Sequence, residues 1–310
     1  MAGKNFEAFK DTIERKFMRH PAVTRNEYTA WFSHGDISLD HLRHFTVQFS
    51  VFSNQFLLAA LTRVINADTL HAARESKEIL MNELGVIYNK GGNACGNAEA
   101  GATTSTEASG ASGAPRSGDA ERGVGAPGEN NDDKDREGDP ALVSTEGTVD
   151  GGKFRFQAAH FEWLLRFGQS LGLTFGDIGK RHHGTPSTLL FCDELFRLYG
   201  SENYNEAIGA AFAVENWAAA GFWKELIAGL EIVKAEKVPD LPLAFFTWHD
   251  KIEELHKEHV WDELEECYGS PKFQEDPFVR AGVTMLDGVK VFWDGLNADR
   301  KRTEALVASY

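Results

Sequence analysis

The chain has 310 residues, of which 42% are hydrophobic, and a formal net charge of −15. This length allows one large domain or two smaller ones, and 22 phenylalanines can build a substantial core. The acidic balance argues against nucleic acid and against an anionic membrane surface as partners, because both attract clusters of lysine and arginine. We expect a cytoplasmic protein, because there is no secretory signal, no apolar run long enough to span a bilayer, and only three scattered cysteines (Cys95, Cys192 and Cys267).

Helical periodicity runs through most of the chain. It predicts helices over 4–19, 25–33, 38–66 and 68–87, and then over 153–173, 185–199, 203–236, 241–268 and 273–307. The expected N-caps are Ser38, Asp68 and Asp240, each of which precedes an apolar-periodic run. No segment alternates convincingly with a period of two. The sequence therefore predicts a single all-α domain over 1–310, a bundle of about seven to nine helices.

One stretch, residues 89–152, differs from the rest in composition. It contains no Phe, Trp or Tyr, holds 14 of the 30 glycines and carries 12 acidic against 5 basic residues. Such a segment cannot bury enough apolar surface to offset the entropy of ordering it. We therefore expect a long disordered insertion within the helical domain. Its excess of acidic residues accounts for about half of the net charge, so the remainder of the chain is only mildly acidic.

The segment FFTWHDKIEELHKEH, residues 245–259, carries polar groups on an apolar helix face. Helical residues advance by about 100° each, so His249, Glu253 and His256 point the same way over two turns. Phe245 lies beside the same stripe. Burying imidazoles and a carboxylate without partners is costly, so this spacing indicates that something binds them.

Three other predicted helices each place one such group in an apolar row: Glu83, His160 and Glu215. Together the three carboxylates and three neutral imidazoles carry a charge of about −3, which two divalent metal ions would more than balance. A nitrogen and oxygen donor set without thiolate suits iron or manganese. The Glu-x-x-His spacing of Glu253 and His256 is one that dinuclear carboxylate sites in helix bundles favour.

Each of these residues also has an ordinary structural explanation. A single histidine on an apolar face is most often a hydrogen-bonded core residue. A single buried glutamate is most often half of an ion pair, for which Arg74 and Arg166 are the available partners. Periodicity alone does not tell whether the four helices converge. The triple on one helix is the stronger signal.

Taken together, these segments resemble the heme-oxygenase-like dinuclear iron oxidases and oxygenases. That family carries a Glu and, seven residues on, a His on one helix. Here NELG contains Glu83 and AAHFEWLLRFGQSLGL resumes with His160, so the insertion separates the two halves. The family's second Glu is matched by Glu215 in AFAVENWAAAGFWKELIAGL, and its His-x3-Asp-x2-His motif by WHDKIEELH, whose His249 lies 34 residues after Glu215. Glu253 stands where the family usually has Asp.

The resemblance covers roughly 20–87 and 153–268, most of the chain outside the insertion. It implies a seven-helix bundle of the heme oxygenase type, two Fe(II) ions (or manganese) held by the six residues named above, and O2 as cosubstrate. Reactions across the family include N-oxygenation of amines, oxidative C–C cleavage, desaturation and decarboxylation. The expected substrate is therefore a small amine, amino acid or carboxylate in a biosynthetic pathway. The sequence does not identify a reducing partner and leaves a homodimer open.

The substrate pocket is expected beside the helix predicted at 38–66. Its row Gln48, Phe49 and Phe52 is mainly apolar with one polar exception, although ordinary core packing would explain the phenylalanines as well. Lys224 could neutralise a substrate carboxylate or simply extend its ammonium group to solvent.

Three other functions are compatible with parts of the pattern. A metal-free enzyme on the same fold, similar to the thiaminase-like or pyrroloquinoline-quinone-synthase-like proteins, would not need six ligands. True heme oxygenase needs a proximal histidine near the N-terminus, for which His20 is the early candidate. A non-enzymatic helical scaffold would depend on the insertion at 89–152 to recruit a partner.

Overall fold

The structure is a computed structural model that describes residues 5–90, 152–156 and 159–309. Within these ranges it leaves undescribed the side chains of residues 71, 75, 87–90, 152–156, 252–260, 262, 263 and 307. The chain divides into two compact units, one formed by residues 1–86 and 158–310 and the other by residues 87–157. The described part of the first unit is helical, and the described part of the second is a pair of strands.

Five helices precede the insertion. They are α1 (Phe6–Ile13), which continues into a π-helical turn (Glu14–Met18), α2 (Pro21–Thr24), α3 (Glu27–Phe32), α4 (Leu39–Ile65) and α5 (Leu70–Glu83). The N-cap of α4 is Ser38, as expected, and its hydroxyl accepts the N–H of His41. The expected cap Asp68 is wrong, because the neighbouring Thr69 caps α5 and Asp68 instead binds Lys272 at 3.0 Å.

Six helices follow the insertion. They are α6 (His160–Ser170), α7 (Pro186–Tyr199), α8 (Tyr204–Ala218), α9 (Phe222–Glu236), α10 (Ala244–Gly269) and α11 (Glu275–Val307). The single helix predicted over 203–236 is broken at Gly221, whose φ of 95° lies in the left-handed region that favours glycine. The predicted cap Asp240 is also wrong, because α10 begins only at Ala244; Pro242 disfavours helical geometry at the residue before it.

Two short strands were not predicted. β1 (Val86–Lys90) pairs with β2 (Gly152–Phe156). The predicted helices 68–87 and 153–173 overlap these two strands. β1 opens with Val-Ile-Tyr, residue types that favour strands. β2 reads GKFRF, a period-two alternation too short to stand out against the helical pattern around it. The interior of the expected insertion, 91–151, lies outside the described residues.

The long helices α4 and α11 organise the bundle. α11 packs against α3, α7 and α8, and α4 packs against α5, α6 and α7. α10 packs against α6, α8 and α9. The prediction of an all-α bundle is confirmed for the described residues, apart from the strand pair, while the specific heme-oxygenase-like arrangement stays a prediction. None of the helices in the described ranges is both long and apolar enough to cross a bilayer.

Candidate metal centre

Glu83 and His160 meet where α5 ends and α6 begins. Glu83 is the last residue of α5 and His160 the first of α6, so the whole insertion lies between them in the chain. The Oε2 atom of Glu83 contacts Nδ1 of His160, although the residues are 77 positions apart. Their side chains are only 16% and 9% exposed. The two halves of the split motif therefore lie side by side.

One nitrogen of the His160 ring has a partner and the other does not. An ionised carboxylate only accepts hydrogen bonds, so Nδ1 donates its proton to Glu83 and the lone pair is on Nε2. This Nε2 atom is buried and has no hydrogen-bond partner among the described residues. A buried acceptor left unpaired costs about 1–3 kcal/mol. A metal ion at Nε2 would remove that cost, and a carboxylate on the opposite nitrogen is the usual support of a histidine ligand.

His249 lies beside this pair on α10, with its ring centroid 4.5 Å from that of His160. Its Nδ1 donates to the carbonyl oxygen of Phe245, one turn earlier, at 2.6 Å. Because a carbonyl can only accept, this bond sets the tautomer and places the lone pair of His249 on Nε2. Both imidazoles thus use Nδ1 as a donor and present Nε2 as the nitrogen able to bind a metal.

Aromatic rings enclose the two imidazoles. Trp223, at the start of α9, stacks on His249 with centroids 4.6 Å apart and an interplanar angle of 24°. Phe245 lies 4.3 Å from the same ring, and Trp248 lies 4.9 Å from the ring of His160. Because Trp223 and Phe245 are themselves buried, they exclude water from the imidazoles and hold them in place, as a metal site requires.

Glu215 is half-buried in the last turn of α8. One turn before it, Phe212 contacts Trp261 of α10 at 5.0 Å. Two residues after it, Trp217 stacks on Phe222 at 4.8 Å. The residues on either side of Glu215 therefore contact α10 and the start of α9, the two helices that form the wall around the imidazoles.

Glu253 and His256 follow His249 on α10, but their side chains lie outside the described residues. The backbone is helical through both positions. Among the described side chains, no group of three or more His, Cys, Asp or Glu residues is arranged to hold an ion. The Glu83–His160–His249 cluster is therefore not arranged to hold an ion by itself, and a metal site here would need donors from the next two turns of α10.

The residues expected to contact substrate have other roles. Gln48 donates through Nε2 to the carbonyl of His183 and accepts the N–H of Thr185 through Oε1, both at 2.8 Å, so its amide holds the turn before α7. Phe49 is 1% exposed and belongs to the core. Phe52 is half-buried in the same core, and Lys224 is exposed in the first turn of α9. The amide of Gln48 is thus engaged with backbone, core packing accounts for both phenylalanines, and the substrate role of these residues stays a prediction.

A small recess opens on the Glu83–His160 pair from the side of α4. Its walls are Ser50, Ser53, Asn54 and Leu57 of α4, Glu83 of α5, and His160, Phe161 and Leu164 of α6. The four α4 residues recur at intervals of three and four and so form one face of that helix. The sequence contains the polar residues Ser50, Ser53 and Asn54 at i, i+3 and i+4. The prediction placed the substrate on another face of α4, that of Gln48, Phe49 and Phe52.

His20, the candidate heme ligand, has both ring nitrogens engaged. Nδ1 accepts the backbone N–H of Ala22 and so caps α2, at 3.2 Å. Nε2 pairs with Asp287 of α11, also at 3.2 Å. A proximal heme ligand needs one ring nitrogen for iron, so this arrangement removes the histidine on which the heme oxygenase alternative depended.

Comparisons with known proteins add no family to this description. No protein-family model matches the chain, and no curated protein matches it. The resemblance to dinuclear iron oxygenases therefore stays a prediction that rests on the spaced motifs and on the Glu83–His160–His249 cluster.

Proposed function

We propose that the protein is a non-heme dinuclear iron oxidase or oxygenase that activates O2 on a small-molecule substrate. The observation that carries this proposal is the buried Nε2 of His160, which lacks a partner among the described residues and belongs to a ring 4.5 Å from that of His249. An unpaired buried acceptor is costly, but Nε2 of His41 is unpaired among the described residues as well, so the unpaired atom supports a metal only together with the neighbouring His249 ring. A metal ion at His160 Nε2 would remove that cost, and the neighbouring His249 ring also has its lone pair on Nε2.

The proposed ligands come from α6, α8 and α10 and are His160, Glu215, His249, Glu253 and His256. Glu83 of α5, the sixth residue expected to bind metal, holds Nδ1 of His160 and so supports that ligand. Carboxylates and imidazoles without thiolate suit Fe(II), with Mn(II) as the alternative. Two ferrous ions in such a centre supply the electrons with which O2 is activated.

The chain's own residues hold the imidazoles in the orientation that a ligand needs. The Glu83 carboxylate keeps the proton of His160 on Nδ1, and the Phe245 carbonyl does the same for His249. Trp223 and Phe245 cover the His249 ring and keep water away from it. A dry, pre-oriented site strengthens every electrostatic interaction made inside it.

The recess between α4 and α6 is the proposed position of the reacting end of the substrate. Ser50 accepts the N–H of Gly179 and Asn54 donates to the Gly179 carbonyl, both at 2.9 Å. These bonds leave the Ser53 hydroxyl and Oδ1 of Asn54 to contact a ligand. Together with the Glu83 carboxylate they favour a group that donates hydrogen bonds. The recess is only large enough for a water-sized group, so an amine end of a substrate suits its lining better than a carboxylate end.

Anaerobic loading with Fe(II), followed by iron quantitation and an absorption spectrum after O2 is added, tests this proposal. We expect about two irons per chain, as in other dinuclear bundle sites, and a transient charge-transfer band. His160→Ala and His249→Ala should each lower the iron content and abolish the band. His182→Ala is the matched control, because His182 lies exposed on the turn before α7.

The same experiment separates the proposal from its rivals. Full activity in iron-free protein would favour the metal-free enzyme. Function that survives His249→Ala but is lost when the insertion is deleted would favour the scaffold. Either result would overturn the dinuclear oxygenase.

A further inference from the structure

A line of aromatic rings leads away from His249. Trp223 stacks on its imidazole at 4.6 Å. Phe222, the neighbour of Trp223 on α9, lies 4.5 Å from Trp223 and 5.5 Å from Trp293 of α11. Phe49 of α4 bridges the same two tryptophans, at 5.8 and 6.3 Å. Two indoles on different helices are thus joined by ring contacts on two sides.

Beyond Trp293 the line continues through α3 to the surface. Tyr28 lies 5.8 Å from Trp293, with the rings 30° from parallel, and 5.4 Å from Trp31. Trp293 and Tyr28 are each 3% exposed, whereas Trp31 is half-buried and reached by solvent. The guanidinium of Arg300 lies 4.5 Å from the Trp31 ring. The line therefore begins beside a proposed metal ligand and ends at the surface.

Tryptophan on this line costs stability that phenylalanine would not cost if the rings served packing alone. The indole N–H groups of Trp223 and Trp293 are buried without an acceptor among the described residues, as are those of Trp163 and Trp217, which are not on this line. An unpaired buried donor costs about 1–3 kcal/mol, a penalty that phenylalanine would avoid. Phenylalanine is also the common ring of this chain, with 22 copies against 7 tryptophans and 6 tyrosines. Tryptophan and tyrosine differ from phenylalanine in one further property: they give up a single electron far more readily.

We propose that Trp223, Trp293, Tyr28 and Trp31 form an electron relay between the protein surface and the metal centre. This inference rests on the proposed function, because the O2-oxidised centre is the oxidant. Tunnelling falls steeply with the gap between donor and acceptor, and consecutive ring contacts keep each gap short. The phenylalanines between Trp223 and Trp293 fill the space across which the electron passes.

Each transfer balances in electrons and protons. The oxidised centre gains one electron, and the vacancy moves outward along the line. When it reaches Tyr28, the phenol proton passes to water with the loss of the electron; Trp31 then returns the electron and water returns the proton, so that Trp31 has lost one electron. The indole N–H proton of Trp31 then passes to water, which leaves a neutral radical; the nearby Arg300 cation favours this loss because it disfavours a second positive charge. A one-electron reductant in solution, of the ascorbate or thiol class, returns an electron and a proton to Trp31. Trp31 is thus the proposed entry point for reducing equivalents.

The first test needs no metal. Azide radicals generated by pulse radiolysis oxidise tryptophans reachable from solvent in the full-length, iron-free protein, and transient absorption follows the product. We expect the Trp31 radical to exchange with a tyrosyl radical at Tyr28 in a first-order step whose rate does not depend on protein concentration, because electrons pass in both directions between these two rings. Tyr28→Phe should abolish this exchange. Tyr268→Phe is the control, because Tyr268 is equally buried but packs against Phe9 and Phe273 at the other end of α10.

The second test uses the iron-loaded protein exposed to O2 without substrate, with oxidised residues located by peptide mass spectrometry. We expect stable oxidation at Trp31 in the wild type and its displacement to Trp223 in Tyr28→Phe. Oxidation confined to Trp223 and Trp248 in the wild type would overturn the relay, as would an unchanged radical exchange in Tyr28→Phe. Failure to consume O2 would overturn the proposed function instead, and the metal-free measurement would then decide the relay by itself.

Discussion

Gly209→Ala tests how closely α8 packs on α11. Gly209 is buried in the middle of α8, and a Cβ added there would lie 2.3 Å from the carbonyl oxygen of Phe278 and 2.9 Å from its Cα. An ordinary contact of a Cβ begins at 3.4 Å, so the two helices would have to separate by about 1 Å (3.4 − 2.3). The obstacle is backbone of another helix, which cannot rotate away as a side chain could.

The expected cost follows from two opposing effects. Overpacking of this kind costs about 1–3 kcal/mol, while alanine is better than glycine in a helix interior by about 1 kcal/mol. We therefore expect a net loss of about 1–2 kcal/mol in the free energy of unfolding. For a folded part of this size, that loss lowers Tm by about 2–8 °C. Because α8 carries Glu215, the same shift should also weaken iron binding.

Urea denaturation and thermal melting followed by circular dichroism measure the effect. Gly269→Ala is the matched control, since Gly269 lies exposed at the end of α10 and an added Cβ there meets nothing within 4 Å. That variant should be neutral or more stable by less than about 1 kcal/mol. Equal stability of the two variants would mean that α8 and α11 do not approach as closely as described.

Three further predictions concern the insertion, the turn before α7 and a buried thiol. Replacing 91–151 by a four-residue turn should stabilise the protein in urea denaturation by about 2 kcal/mol, because each doubling of a flexible loop costs about 0.6 kcal/mol; iron content should be unchanged, and its loss would show that the insertion contributes to the site. Gln48→Leu leaves the half-buried carbonyl of His183 and N–H of Thr185 without their side-chain partner, so it should destabilise by about 1 kcal/mol in the same assay while iron binding persists; loss of iron without loss of stability would support a functional role for Gln48. Burial raises the pKa of the Cys192 thiol to about 12, from an ordinary value of 9.0. The folded state therefore keeps a proton that the unfolded state releases, so this residue's contribution to stability falls as pH rises from about 9 to about 12. Peptide mapping after alkylation should find Cys192 modified only in denatured protein, and labelling of the native state at mildly alkaline pH would contradict its burial.

Local rules recovered most of the helices but not their interruptions. Apolar spacing and a hydroxyl cap placed α4 within one residue of its observed start after Ser38. The same spacing carried a prediction straight through Gly221, because a single glycine interrupts a helix only when the surrounding packing selects its left-handed conformation. The strand pair was missed because sheet formation depends on a partner more than sixty residues away, which no local window contains.

The approach of two proposed donors, His160 and His249, was predictable, and their surroundings were not. Periodicity identified His160 and His249 as polar groups on apolar faces, and the observed ring contact agrees with that placement. Periodicity could not choose between the Gln48 and Ser53 faces of α4, because both alternate polar and apolar residues. Only the turn that binds Gln48 and the recess beside Ser53 distinguish them. Likewise, Trp223 carries no sequence signal for its stacking on His249, since the contact depends on how α9 packs against α10.

Iron K-edge X-ray absorption of the anaerobically loaded protein tests the central claim most directly, because it counts the imidazoles around the metal. We expect imidazole scattering and a short iron–iron vector in the wild type, with reduced imidazole scattering in both His160→Ala and His249→Ala at equal iron load. Iron that binds with an unchanged imidazole signal in both variants would show that these two rings do not hold it.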